Sequence, residues 1–202
     1  LVPDLSQTIN KGDYYNASVR IRTVLKIAFL LGMATTIICQ LIPSSLGEMF
    51  YHRDDLGLYI RLSSISAPIF FVSNTMVGIL NGLNRQSIIL RNSIIVSVTE
   101  ILSLYFFTAI PSINIFSYVI TIFITSTLGL LINLYEIKKH IELNLSIFNI
   151  IIFTLMGILI FLLLNLMNKY LFNNLYFSKN IIIILLTFGI FAYLSKFGID
   201  EY

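Results

Sequence analysis

Residues 147–167 read IFNIIIFTLMGILIFLLLNLM, a run with two asparagines, one threonine and no charged side chain. A helix rises 1.5 Å per residue, so a run of about 20 residues covers about 30 Å, the thickness of the bilayer hydrocarbon. A membrane-crossing strand needs only about ten residues and must alternate apolar with polar, which this stretch does not do. The run therefore predicts a transmembrane helix. Five more runs of similar kind flank it, at about 23–42, 58–80, 92–110, 113–135 and 180–197. The expected fold class is an all-α membrane protein with six transmembrane helices.

Composition agrees. The 202-residue chain is 57% hydrophobic and 11% charged, with mean hydropathy +0.88. A soluble domain has about 25% charged residues, so this chain cannot cover a water-facing surface, and it is far too apolar for disorder. An ordinary soluble enzyme is excluded. The net charge of +3 and pI near 9.0 fit basic cytoplasmic loops rather than nucleic-acid binding. A single cysteine, Cys39, rules out a disulfide framework or a CxxC metal site.

The breaks between runs have chemical reasons. Pro43-Ser44-Ser45 closes the first run, and Asn81 to Arg91 is a polar joint after the second. Pro111-Ser112 makes a tight hairpin between the third and fourth, because proline opposes helix continuation. Residues 136–144 and 168–179 separate the rest. Lys11-Gly12-Asp13 reads as a turn, with Asp13 as N-cap of a helix running through Arg20 and Arg22 into the first run. The basic residues divide unevenly: Lys11, Arg20, Arg22, Lys26, Arg85, Arg91, Lys138, Lys139 and Lys196 lie on the side of the N-terminal segment. Arg53, Arg61, Lys169 and Lys179 lie on the other. This bias predicts both ends of the chain in the cytoplasm. The opening Leu1-Val2-Pro3 lacks an initiator Met and a signal peptide, so the chain is expected to be the C-terminal piece of a longer polypeptide.

Candidate site residues come from polar groups inside the runs. Glu100 lies near the middle of the third, flanked by Ser93, Ser97 and Ser103. A carboxylate there costs a few kcal/mol, so it is expected to face the bundle interior or water. It reads either as a cavity group for a cation, a proton or a cationic side chain, or as a neutral or paired lock between helices. The second run carries Arg61, Pro68, and then Asn74, Gly78, Asn81 and Arg85 on one helical face. Arg61 is expected to snorkel to the interface or to meet a substrate phosphate. Gly78 and Gly82 form a G-x-x-x-G pair that reads as helix packing, with Asn74 and Asn81 as interhelical glue or cavity lining. Gly32, Thr36 and Gln40, and likewise Thr121, Thr125, Gly129 and Asn133, are small-polar stripes of the packing kind. The last two runs are apolar all round and are expected to face lipid. No phosphate loop, nucleophile elbow or zinc motif is present, and His52 and His140 fall on opposite sides. No metal, no cofactor and no enzymatic activity are expected. Asn16-Ala17-Ser18 and Asn144-Leu145-Ser146 fit a glycosylation pattern on the expected cytoplasmic side and carry no weight.

Several stretches together resemble a known superfamily. They are Val2-Pro3-Asp4-Leu5-Ser6 with Lys11-Gly12-Asp13 and Arg20-Ile21-Arg22, Leu46-Gly47-Glu48-Met49-Phe50-Tyr51, Ala67-Pro68, Ile79-Leu80-Asn81-Gly82-Leu83-Asn84-Arg85-Gln86, and Arg91-Asn92-Ser93. In order and spacing they look like the multidrug/oligosaccharidyl-lipid/polysaccharide exporter superfamily, most closely its stage V sporulation protein B-like flippases. The resemblance covers about residues 1–140, and the last two runs only by hydropathy. It implies the C-terminal lobe of a MATE-like two-lobed bundle. Residues 1–22 would be a cytoplasmic amphipathic segment, and 23–137 the four-helix part of the polysaccharide biosynthesis C-terminal type. Residues 138–202 would be two peripheral helices and a cytoplasmic tail. It further implies a bacterial plasma-membrane protein that moves an undecaprenyl-linked oligosaccharide or peptidoglycan precursor by alternating access, in sporulation or cell-wall synthesis. The implied partners are the lipid-linked sugar, membrane lipid and the missing N-terminal lobe of the same chain, with no nucleic acid. One departure stands out: that group commonly has a basic residue where this chain has Glu100, so an Arg–phosphate contact is not carried over. A cation-coupled multidrug exporter is therefore the alternative, and a non-transporting membrane scaffold the second.

Overall fold

A computed structural model describes residues 2–113, 116–143, 147–170 and 178–196. Among them every regular element is helical: α1 (Val2–Asn10), α2 (Tyr14–Leu41), α3 (Pro43–Tyr51), α4 (Gly57–Ser64), α5 (Ala67–Gly82), α6 (Gln86–Thr108), α7 (Ser117–Lys138), α8 (Ile147–Tyr170) and α9 (Ser178–Lys196). Five of these, α2, α6, α7, α8 and α9, are long and apolar enough to cross a membrane, and α4 with α5 makes a sixth if taken as one broken span. The chain is thus an all-α, multi-pass membrane protein. Asn144-Leu145-Ser146, most of the joint before the last run, and the end of that run lie outside the described residues.

Helix ends follow local chemistry. Gly12 takes φ +77°, and the Gly12 and Asp13 amides donate to the Ile9 and Thr8 carbonyls, a Schellman close to α1. Asp13 then caps α2: its Oδ1 accepts the Asn16 amide at 3.1 Å and its other oxygen accepts the Asn16 side chain. The expected turn and cap are therefore both present. Asn84, at φ +61°, ends α5 the same way, with its own amide on the Asn81 carbonyl and the Arg85 amide on that of Leu80. The joint is consequently shorter than the sequence predicts. α6 starts at Gln86 and contains Arg91.

The chain divides into two compact units. In the first, Leu1–Phe29 with Ile69–Leu145, Leu5, Ile21, Leu25, Met76, Ile79, Leu80, Ile137 and Ile141 form the core. This core draws α1, the start of α2, the end of α5 and the end of α7 to one end of the unit. The α7 stripe Thr121, Thr125, Gly129 and Asn133 is buried, and a Cβ on Gly129 would meet Ser73 Oγ of α5 at 2.7 Å and Val96 of α6 at 3.7 Å. This stripe is a packing face, as its residue types predict. In the second unit, Leu30–Pro68 with Ser146–Tyr202, the later turns of α2 from Leu30 to Leu41 pack against Ile160 and Leu164 of α8 and Ile183 and Phe191 of α9.

The break between α4 and α5 is the main departure from the sequence reading, which takes 58–80 as one run. Pro68 has no amide to offer the Ser64 carbonyl four residues back. Thr36 of α2 supplies the missing donor, with Oγ1 at 2.7 Å from that carbonyl. Gln40 Nε2 donates to the Arg61 carbonyl at 2.9 Å and to Ser64 Oγ at 3.3 Å. Gly32 lets the backbones close in, since a Cβ there would lie 2.4 Å from Pro68 Cα. Within a bilayer, non-helical backbone survives only where protein or water satisfies it. The stripe Gly32-Thr36-Gln40 does that here.

Candidate functional site

Glu100 sits near the middle of α6, half-buried, at the edge of the face that α6 turns toward α7. It has no hydrogen-bond or ion-pair partner among the described residues. Ser97 and Ser93, on its flank, are exposed. The surrounding helix is unusually bare: only 6% of its apolar window is buried, against 17% each for α8 and α9. Sequence reasoning assigns the barest faces to the last two spans, and the structure gives that place to α6. Ile94, Val98, Ile101 and Tyr105 are all more than half exposed and run along one side of it.

The other sequence-derived residues do not gather around Glu100. Arg61 ends α4 in the second unit, exposed, with its guanidinium unpartnered among the described residues while its carbonyl is held by Gln40. Asn74 is exposed on α5 and donates to the Phe70 carbonyl of its own helix at 3.0 Å. Asn81 is exposed at the end of α5. Gly78 and Gly82 do not form one seam. A Cβ on Gly78 would meet nothing within 4 Å, whereas Gly82 lies beneath Leu5 of α1. Among the described residues no three His, Cys, Asp or Glu side chains gather closely enough to hold a metal.

Two polar features escape a reading of the runs. The first joins α6 to α7. Arg91 Nη2 donates to Glu136 Oε1 at 2.6 Å and to Asn92 Oδ1 at 3.0 Å, and Asn92 Nδ2 donates to Asn133 Oδ1 at 2.9 Å. Lys139 Nζ lies 3.5 Å from the other Glu136 oxygen. Glu136, Asn92 and Asn133 are buried, so this ladder fixes the two helices in register. Its signal in sequence is faint because the partners stand more than forty residues apart. Arg91 and Glu136 lie in stretches that read as joints, and Asn92 and Asn133 at the ends of two different runs.

The second is a groove of about 720 Å³ between α1 and the first turns of α2, lined by Gln7, Lys11, Asp13, Asn16, Arg20 and Thr23 among others. None of the sequence-derived site residues lines it. Asn16, Arg20 and Thr23 recur at helical spacing along one face of α2. The Asn16 hydrogen bonds hold the Asp13 carboxyl below its ordinary range. Lys11 and Arg20 are exposed and make no ion pair or hydrogen bond among the described residues. Comparison with family profiles, characterised proteins and solved structures finds no match for this chain.

Proposed function

We propose that the protein is a non-enzymatic membrane transporter that moves an undecaprenyl-linked oligosaccharide or peptidoglycan precursor by alternating access. The observation that carries a transport role is Glu100: a half-buried carboxylate without a partner among the described residues, in the middle of a membrane-crossing helix. An ionisable group at that depth is costly and is held against water or another protein surface. On this reading Glu100, with the exposed Ser93 and Ser97 on its flank, meets a water-filled cavity or another protein surface. The broken span agrees, because interrupted helices are common where transporters build their pathways. Lipid-linked sugar as substrate rests on the likeness of residues 79–86 and 91–93 to the flippases. Both chain ends lie in the cytoplasm of a bacterial cell on this reading, with the basic end of the first unit on the cytoplasmic surface.

Glu100 also favours a second reading, a cation-coupled exporter of small amphipathic compounds, because a lone carboxylate suits a cation or a proton better than a pyrophosphate. Complementation of a flippase-deficient strain by the full-length protein separates the two. Under the first reading growth is restored and Glu100→Gln, at matched expression, loses that rescue. Rescue absent, with drug export that falls in Glu100→Gln and depends on pH or cation in the parent, supports the second. Full activity of Glu100→Gln together with a lower yield of Glu100→Ala would reduce Glu100 to a structural role and remove the basis of both.

A further inference from the structure

The first unit concentrates its cations at one end. Lys11 precedes α2; Arg20, Arg22 and Lys26 lie in its first half; Arg85 and Arg91 open α6; and Lys138 and Lys139 close α7. The shared core of α1, α2, α5 and α7 brings these segments together. Three of these eight cations have visible work: Arg91 and Lys139 hold Glu136, and Arg85 Nη2 lies 3.5 Å from His140 Nδ1. Lys11 and Arg20 differ. Lys11 stands in the turn after α1 and Arg20 on α2, and both line one groove. Neither makes an ion-pair contact among the described residues, and the Asp13 carboxylate feels Arg20 only at longer range.

The groove also sits at a defined depth. The groove lining reaches Thr23 and Val24, where the apolar run of α2 opens at about residue 23, and Tyr14 and Tyr15, at 55% and 69% exposure, stand in the first turn of that helix. Aromatic rings of this kind collect at the level of lipid headgroups. Asp13 is the acidic side chain of the groove, and both its oxygens are already engaged by Asn16. Two cations against one occupied carboxylate leave the groove net positive. The amide of Gln7 and the hydroxyl of Thr23 add neutral hydrogen-bonding groups, although the Thr23 hydroxyl hydrogen is spent on the Val19 carbonyl at 3.1 Å.

We propose that the α1–α2 groove binds a phosphate-bearing anion, held between Lys11 and Arg20 at headgroup depth, with an anionic phospholipid as the fitting source. The inference goes beyond the transport reading and does not depend on what the chain carries. Cations at a membrane surface attract anionic lipid, each contributing about a fivefold change in binding.

The test uses the purified full-length protein in detergent and a short-chain phosphatidylglycerol as probe. Binding is read by native mass spectrometry or thermophoresis, with the phosphatidylcholine analogue and inorganic phosphate in parallel. Phosphatidylglycerol should bind more tightly than phosphatidylcholine, and the double variant Lys11→Gln with Arg20→Gln should weaken it about tenfold or more. Gln7→Lys, an exposed change at the groove wall, should tighten it by about fivefold. That variant keeps the proposal open to refutation if the double variant folds poorly. Comparable binding of inorganic phosphate, lost in the double variant, supports the same phosphate site with a soluble source. Equal binding of the two lipids, or phosphatidylglycerol binding unmoved in both the double variant and Gln7→Lys, overturns the proposal.

Discussion

Single side chains carry the polar contacts that hold this apolar chain in one arrangement. Arg91 is the clearest: Glu136 is only 7% exposed at its side chain, and its closest cation is Arg91 at 2.6 Å. Arg91→Ala should lower stability by about 2 kcal/mol, the order of a charge-assisted hydrogen bond to a buried acid. A smaller loss is expected for Lys139→Ala, whose contact with Glu136 is longer, at 3.5 Å. Thermal unfolding in detergent measures both. At Asp13 the effect depends on pH. Its folded pKa lies below the unfolded value because Asn16 stabilises the carboxylate. The cap therefore contributes fully above the ordinary aspartate pKa, and its contribution is lost as pH falls through the lowered folded value. Amide exchange at Asn16 should rise in that acid window, and Asp13→Asn should flatten the dependence. Sequence alone reveals Asp13, because a cap acts within three residues. It does not reveal the Arg91–Glu136 pair, because nothing local ties an arginine at one joint to a glutamate at another. Glu100 is legible as an anomaly, but which face of α6 it takes is not, because hydropathy does not say that α7 packs beside it.

At the level of elements, run length and hydropathy locate the spans and misplace their ends. The early start of α2 at Tyr14 follows from the Asp13 cap that the sequence predicts, whereas α7 runs past its apolar stretch to Lys138, where the buried Glu136 pairs with Arg91 and Lys139. The break in the second span is the feature hydropathy hides: the side chains stay apolar while the backbone changes course. Only Pro68 hints at it, and the answering residues, Gly32, Thr36 and Gln40, lie on another helix. Pro68→Ala restores an amide that can reach the Ser64 carbonyl, which makes Thr36 redundant. Thr36→Val alone should therefore cost about 1 kcal/mol, and much less in a Pro68→Ala background. A double-mutant cycle on unfolding temperature in detergent checks this. Additive losses would mean that Thr36 does not replace the missing donor. Gly32→Ala should destabilise by about 1–3 kcal/mol, since its methyl would press on the Pro68 backbone and not on a movable side chain.

For the whole molecule, the uneven division of basic residues makes sidedness a testable expectation. Eight of the nine basic residues assigned to the N-terminal side belong to the first unit, and the core of that unit collects their segments at one end. In a Cys39→Ala background, an impermeant thiol reagent applied from outside should label Lys179→Cys and spare Lys138→Cys. The opposite pattern would invert the orientation. The other end of the unit has a consequence for biogenesis. From Ile101 through Tyr135, across the far end of α6, the Pro111 turn and most of α7, the sequence holds no charged residue. During membrane insertion this hairpin tip carries no fixed charge across the electric field, whereas each translocated charge would do about 2.3 kcal/mol of work per 100 mV. The pair can therefore enter in a single concerted step, anchored by cations that remain behind. A lysine at Ser112 should slow that entry in proportion to the membrane potential, and collapsing the potential should abolish the difference.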